Sequence, residues 1–158
     1  METRDTLAAT VAGRGAHITF GQAIEGFPAE RSGERVDGVP HTAWTLVWHM
    51  REVIQDIIDY VENPAGYASK PYPSGYWPES YAPPSPQAWQ EAVEGVESAL
   101  DRVVEWVTDE SRPLFEVLPH TPGHTIFRQA LLVADHTSYH IGQIVDLRLL
   151  MGIPVKDW

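Results

Sequence analysis

The stretch DHTSYHIGQIVDLRLLMG, residues 135–152, sets His136 and His140 four positions apart in an otherwise apolar, helix-forming run. With His136 at zero and about 100° per residue, His140 falls at about 40°, Gln143 at about 340° and Gln129 at about 20°. Val133, Ile144, Leu147 and Met151 share that arc. The histidines therefore belong to the stripe that looks into the protein, with a glutamine to either side. Leu131, Ile141, Val145 and Leu149 fall on the opposite side, which makes the helix apolar almost all round. Such a helix is central, or its outer face meets another chain.

Thr121-Pro122 at the start and Gly152 with Pro154 at the end predict that this helix runs over 122–151. Three further helices are predicted upstream. In 42–62, Leu46, Met50, Val53, Ile57 and Val61 repeat at three and four, with Thr42 as N-cap and Asn63-Pro64 as stop. In 86–107, Trp89, Val93, Val96, Leu100, Val103 and Val107 form one stripe behind Ser85 as N-cap and Pro86 at the first position. Residues 4–26 give the weakest pattern: Leu7, Val11, Ile18 and Gln22 share a face, but Gly13, Gly15 and Gly21 dilute it. Residues 27–41 and 108–120 read as connections. Residues 63–85 hold six prolines, four tyrosines and a tryptophan, which forbids a continuous helix and argues for an ordered connection. The expectation is an all-α, single-domain chain over residues 1–158: a four-helix bundle with a long Pro/Tyr-rich crossover between helices two and three.

Composition narrows the function classes. The apolar and charged shares, 43% and 21%, are those of an ordinary globular chain, so disorder is not expected. A net charge of −11 without any Lys/Arg cluster speaks against nucleic acid and against anionic membrane surfaces as partners. The absence of cysteine removes disulfides, thiolate zinc sites and an internal thiol nucleophile together. The first residues carry no apolar leader and no run is long enough to span a bilayer, so a cytoplasmic location is expected.

Two imidazoles at i and i+4 stand about 5–6 Å apart at Cβ and can converge on one metal ion. They serve as well for satisfied core histidines, and both readings stay open on the spacing alone. A third ligand would have to come from another helix. His49 is the candidate, at the edge of the apolar stripe of helix two with Val53, Asp56 and Tyr60 beside it. His17 and His41 lie on the weakest helix and near a loop. His124 falls roughly 18 Å along the axis from His136, too far to share its site in an unbroken helix. A zincin helix needs Glu after its first histidine, where Thr137 stands. A di-iron bundle needs Glu three residues before each ligand histidine, where Leu46, Val133 and Thr137 stand. Three imidazoles without a compulsory carboxylate leave open positions, the layout of a catalytic site.

The elements Trp44 and His49 within HTAWTLVWHM (41–50), and His136, His140, Gly142-Gln143 and Arg148 within 135–152, resemble the DinB superfamily in helix order and length over nearly the whole chain. The resemblance implies an up-down-down-up four-helix bundle, often dimeric. It implies a divalent metal, nickel or zinc, on His49, His136 and His140. Some relatives are transferases that use a low-molecular-weight thiol such as bacillithiol or mycothiol. One branch carries Glu at the first position of the late pair, so His136 departs from that branch. On this reading the chain is a metal-dependent transferase or hydrolase acting on a small molecule, with thiol or water activated at the metal. Asp56 would orient an imidazole or act as a base, unless it is a solvated helix carboxylate. Gln143 would support a ligand imidazole, or satisfy a buried histidine. Tyr67, Tyr72, Tyr76, Trp77 and Tyr81 would wall the pocket, or cover the bundle end. The alternatives are a non-catalytic metal- or small-molecule-binding module of the stress-response type, and a purely structural bundle that associates through helix four.

Overall fold

The computed structural model describes residues 2–156. Five α-helices run in chain order: α1 (Glu2–Val11), α2 (Phe20–Ile24), α3 (Ala43–Glu62), α4 (Pro86–Thr108) and α5 (Ile126–Leu150). Single 3₁₀ turns lie at Ala29–Arg31 and Ser74–Tyr76. Among the described residues there is no strand, only one isolated bridge between Val117 and Thr125. No helix there is long and apolar enough to cross a membrane.

The helix boundaries follow local chemistry. Thr42 and Thr45 form a reciprocal capping box at the start of α3, with Thr45 N–H donating to Thr42 Oγ1 at 3.2 Å and Thr42 N–H to Thr45 Oγ1 at 3.0 Å. Ser85 accepts from Ala88 N–H at 3.1 Å, with Pro86 in the first turn of α4. The expected first helix is broken. Gly13 at φ +70° ends α1, and the chain restarts at Thr19, which caps the short α2. The last helix begins four residues later than expected. Thr121 takes part in a turn, accepting His124 N–H at 2.9 Å, and Gly123 at φ +126° cannot continue into a helix. Thr125 is the true cap, accepting Arg128 N–H at 3.1 Å. At the far end, Gly152 at φ +69° closes α5. Ile153 N–H bonds Arg148 O at 2.8 Å and Gly152 N–H bonds Leu149 O at 3.1 Å. That is the double closure expected of a left-handed C-terminal glycine.

α3 packs against α4 and α5, and α1 against the same two helices. Leu46, Met50, Ile54, Val96, Val103, Trp106, Val133, Ile144 and Leu147 are the deepest part of the core. α5 is central. The outer face assigned to it from sequence is divided: Ile141 and Val145 are buried, on a helix that packs against α1 and α2 as well as α3 and α4, whereas Leu131 and Leu149 are exposed. Half of the side opposite the histidines is thus covered from within the chain, which accounts for that part of a helix apolar all round.

Arg148 locks the end of α5. It is buried, one terminal guanidinium nitrogen donates to Ala23 O at 2.7 Å and Glu25 O at 2.8 Å, and the second terminal nitrogen donates to Pro154 O. One side chain so ties the C-terminus of α2, the tail and α5. Replacing Arg148 with Ala strips these carbonyls of their donor and empties buried volume. The expected loss is about 2–4 kcal/mol in urea denaturation. A loss below about 0.5 kcal/mol, the range of an ordinary surface substitution, would show that Arg148 does not lock this end.

Candidate metal centre

α3 and α5 lie side by side, and their contact places His49 opposite His136 and His140. The three side chains expected from sequence are brought together. One ring nitrogen from each lies within 4.8 Å of the other two, and His49 and His140 are buried while His136 is half-buried.

Each ring has a different support. His49 Nδ1–H donates to the main-chain carbonyl of Tyr76 at 2.7 Å, because a carbonyl can only accept. His140 Nδ1–H donates to Gln143 Oε1 at 2.6 Å. Both bonds fix the Nδ1–H tautomer and leave Nε2 as a bare lone pair. The Nε2 atoms of His136 and His49 face each other at 3.0 Å, and His136 Nδ1 is buried without a hydrogen-bond partner. If His136 carries its proton on Nε2, its Nδ1 lone pair is orphaned. If it carries the proton on Nδ1, that donor is orphaned and two lone pairs confront each other. No arrangement of neutral imidazoles satisfies the cluster from within. A cation would take up the facing Nε2 lone pairs, though it would leave the buried His136 Nδ1–H without a partner, and nitrogen ligands on a tetrahedral zinc stand roughly 3.3 Å apart. The residues present therefore fit a divalent ion.

The electrostatics agree with that donor set. Burial, then the neighbouring imidazoles, push His136 down to about 3. Burial also dominates at His140, which falls to about 4 although its bond to Gln143 acts the other way. His49 is lowered by burial as well. All three stay unprotonated at neutral pH, the form that ligates metal.

The cluster lies in the wall of a cavity of about 760 Å³ that also takes in Asp56, Lys70, Tyr76, Trp77 and Tyr139. The α3–α4 connection supplies much of this wall. Trp77 stacks on His49 with ring centroids 3.9 Å apart and planes 2° from parallel, and His41 backs its other face at 4.5 Å. Asp56 makes no hydrogen bond to any of the three histidines. Its Oδ2 accepts from Tyr67 Oη at 3.3 Å and Tyr76 Oη at 3.1 Å. Burial and the Asp56 charge raise Tyr67 to about 12, so its hydroxyl keeps the proton that it donates. Of the tyrosines expected at the wall, Tyr72 and Tyr76 line the cavity, whereas Tyr81 lines a separate one with His41 and Trp77.

The remaining histidines are elsewhere. His124 bonds the Tyr60 hydroxyl at 2.9 Å, His120 bonds Tyr60 O at 2.8 Å and His17 bonds Ser138 Oγ at 2.9 Å. Gln129 is buried but takes Arg128 as its partner. Two supports escaped the sequence reading. The Tyr76 carbonyl belongs to the main chain and carries no side-chain signal. His41 joins the stack only because the loop before α3 folds back over Trp77.

Residues 15–144 match the sequence model of the DinB superfamily. No curated protein and no solved structure matches the chain.

The depressed histidines make stability depend on pH. In the metal-free protein the unfolded chain takes up protons near pH 6.5, while the folded cluster resists them until about 4 and 3. The stability they contribute is complete above about pH 6.5 and drains away as pH falls toward 3. Urea midpoints of chelator-treated protein at pH 7.5, 5.5 and 4.5 should drop steadily, and less steeply in His136→Gln/His140→Gln. Parallel slopes would show that the imidazoles are not held neutral.

Proposed function

The chain belongs to the DinB superfamily, and from that premise we propose that it is a metal-dependent enzyme of that family, acting on a small molecule through a three-histidine centre. The observation that carries the reading is the convergence of three buried or half-buried imidazoles, two of them fixed as Nδ1–H tautomers and the third with its Nε2 3.0 Å from that of His49, beside a large cavity. A divalent ion held by His49, His136 and His140, nickel or zinc, would act there as a Lewis acid and lower the pKa of a thiol or water that reaches it.

The chain's own residues have definable parts in this reading. Tyr76 O and Gln143 Oε1 orient two of the ligand rings. Trp77 keeps His49 flat and water away from its face. Asp56 stands in the wall with Oδ2 taken by the Tyr67 and Tyr76 hydroxyls, which leaves its other oxygen as the one that a base role would use. The protein has no cysteine of its own, so a thiol nucleophile must be a co-substrate, of the bacillithiol or mycothiol kind. A transferase joining such a thiol to an electrophile is the form favoured here. A cytoplasmic setting and an up-down-down-up bundle belong to the same reading. So does a homodimer, for which Leu131, Leu149 and Leu150 are apolar side chains left exposed on α5.

Protein purified without a histidine tag and reconstituted with zinc or nickel should hold about one ion per chain. His49→Ala and His140→Ala should each weaken binding by more than about a hundredfold, beyond the cost of losing an outer partner. A wild type that stays metal-free after reconstitution ends the proposal. Metal-dependent conjugation of a low-molecular-weight thiol to an electrophile panel would establish the activity. Tight metal binding without turnover would instead mark a non-catalytic binding module.

A further inference from the structure

α3 presents His49, Glu52 and Asp56 along one side, since steps of three and four residues return to the same stripe. The α3–α4 connection answers all three. Lys70 Nζ pairs with Glu52 Oε2 at 2.6 Å. Tyr67 and Tyr76 donate their hydroxyls to Asp56 Oδ2. Tyr76 also accepts the His49 Nδ1–H on its main-chain carbonyl at 2.7 Å. Tyr76 is therefore held at both ends, its ring hydroxyl on Asp56 and its carbonyl on His49. The next residue, Trp77, lies flat on the His49 ring.

We propose that Asp56 is a positioning residue: by holding the Tyr76 hydroxyl it fixes the Tyr76 carbonyl and the Trp77 ring against His49, and so sets the tautomer and plane of a ligand that it does not touch. The metal consequence of this rests on the three-histidine centre proposed above. An imidazole ligand must be fixed in two respects. The in-plane bond at Nδ1 selects the tautomer that bares Nε2. The stacked indole restrains rotation of the ring out of that plane. Both restraints come from two consecutive residues at the end of a single 3₁₀ turn, Ser74–Tyr76. The turn's own main-chain bonds, Gly75 N–H to Pro71 O at 2.7 Å and Tyr76 N–H to Pro73 O at 3.0 Å, shape it internally, so its placement against α3 rests on its side-chain anchors. The Asp56 carboxylate is the anchor on the residue that carries the carbonyl. Tyr67 bonds the same oxygen, at a longer 3.3 Å, but has no bond to His49 and serves as an internal control.

The test uses full-length Tyr76→Phe, Asp56→Leu, Asp56→Asn and Tyr67→Phe, each checked for wild-type helicity and cooperative melting. The deciding readout is the His49 Nδ1–H resonance in imidazole ¹⁵N–¹H spectra of metal-free protein. It should be present in wild type, Tyr67→Phe and Asp56→Asn, whose amide oxygen still accepts from Tyr76. It should be lost or averaged in Tyr76→Phe and Asp56→Leu. In zinc competition against a chromophoric chelator, those two variants should bind at least about tenfold more weakly, the other two within about twofold of wild type, as expected for an outer-partner effect. The Tyr76→Phe/Asp56→Leu double variant should be no weaker than the weaker single one. Survival of the resonance in both Tyr76→Phe and Asp56→Leu overturns the proposal, whatever the affinities. A wild type that takes up no zinc while the resonance pattern holds ends the metal reading and leaves the positioning role standing.

Discussion

Three imidazoles facing one another across the α3–α5 contact constrain the rest of this molecule. Each must be neutral, because burial makes the charged form expensive, and each turns a ring nitrogen toward the others. Those demands fix the register of α3 against α5. His49 has to lie level with a single turn of α5, and a slip of one turn would separate it from the pair by about 5.4 Å. The molecule enforces that register at the ends. Thr125 and Gly152 set where α5 begins and stops, and Arg148 ties its last turn to the carbonyls of α2 and the tail. Thr42 and Thr45 do the same for the start of α3.

The connection after α3 completes the centre from outside the helices. A proline-rich segment cannot satisfy its own carbonyls in a helix, so they remain free to serve others. The Tyr76 carbonyl serves His49. The same segment's aromatic rings have hydroxyls to place and faces to cover, and α3 offers Asp56 for the first and the His49 ring for the second. The segment is therefore both wall and support.

Side-chain periodicity made much of this legible in the sequence. The i,i+4 pair, His49 on the second strong amphipathic helix and Gln143 one turn beyond His140 are all consequences of 100° per residue, and the structure brings these four residues into contact. Caps at Thr42 and Ser85 and the stop at Gly152 were legible for the same local reason. What escaped depends on glycine and on tertiary contact. Gly13 and Gly123 divert the chain at left-handed angles where periodicity and a Thr-Pro signal predicted helix. Ile141 and Val145 read as an outer face because no helical wheel shows that α1 and α2 pack against α5. The bond from Asp56 goes to tyrosines 11 and 20 residues away, a separation that no local pattern encodes.

The donor set itself carries a chemical consequence. Three neutral nitrogens bring no charge to a divalent cation, whereas the two-histidine, one-carboxylate set of many hydrolases cancels part of it. On the proposed function, the charge of a cation held there would be balanced by whatever completes its shell, which would favour an anionic nucleophile over a neutral one. The nearest built-in carboxylate in the cavity, Asp56, is occupied by two tyrosine hydroxyls rather than turned to the histidines. With no cysteine in the chain, a thiolate completing that shell would have to enter from solution. A cavity of about 760 Å³ beside the three histidines would give such an anion access, where a closed structural site would leave no opening.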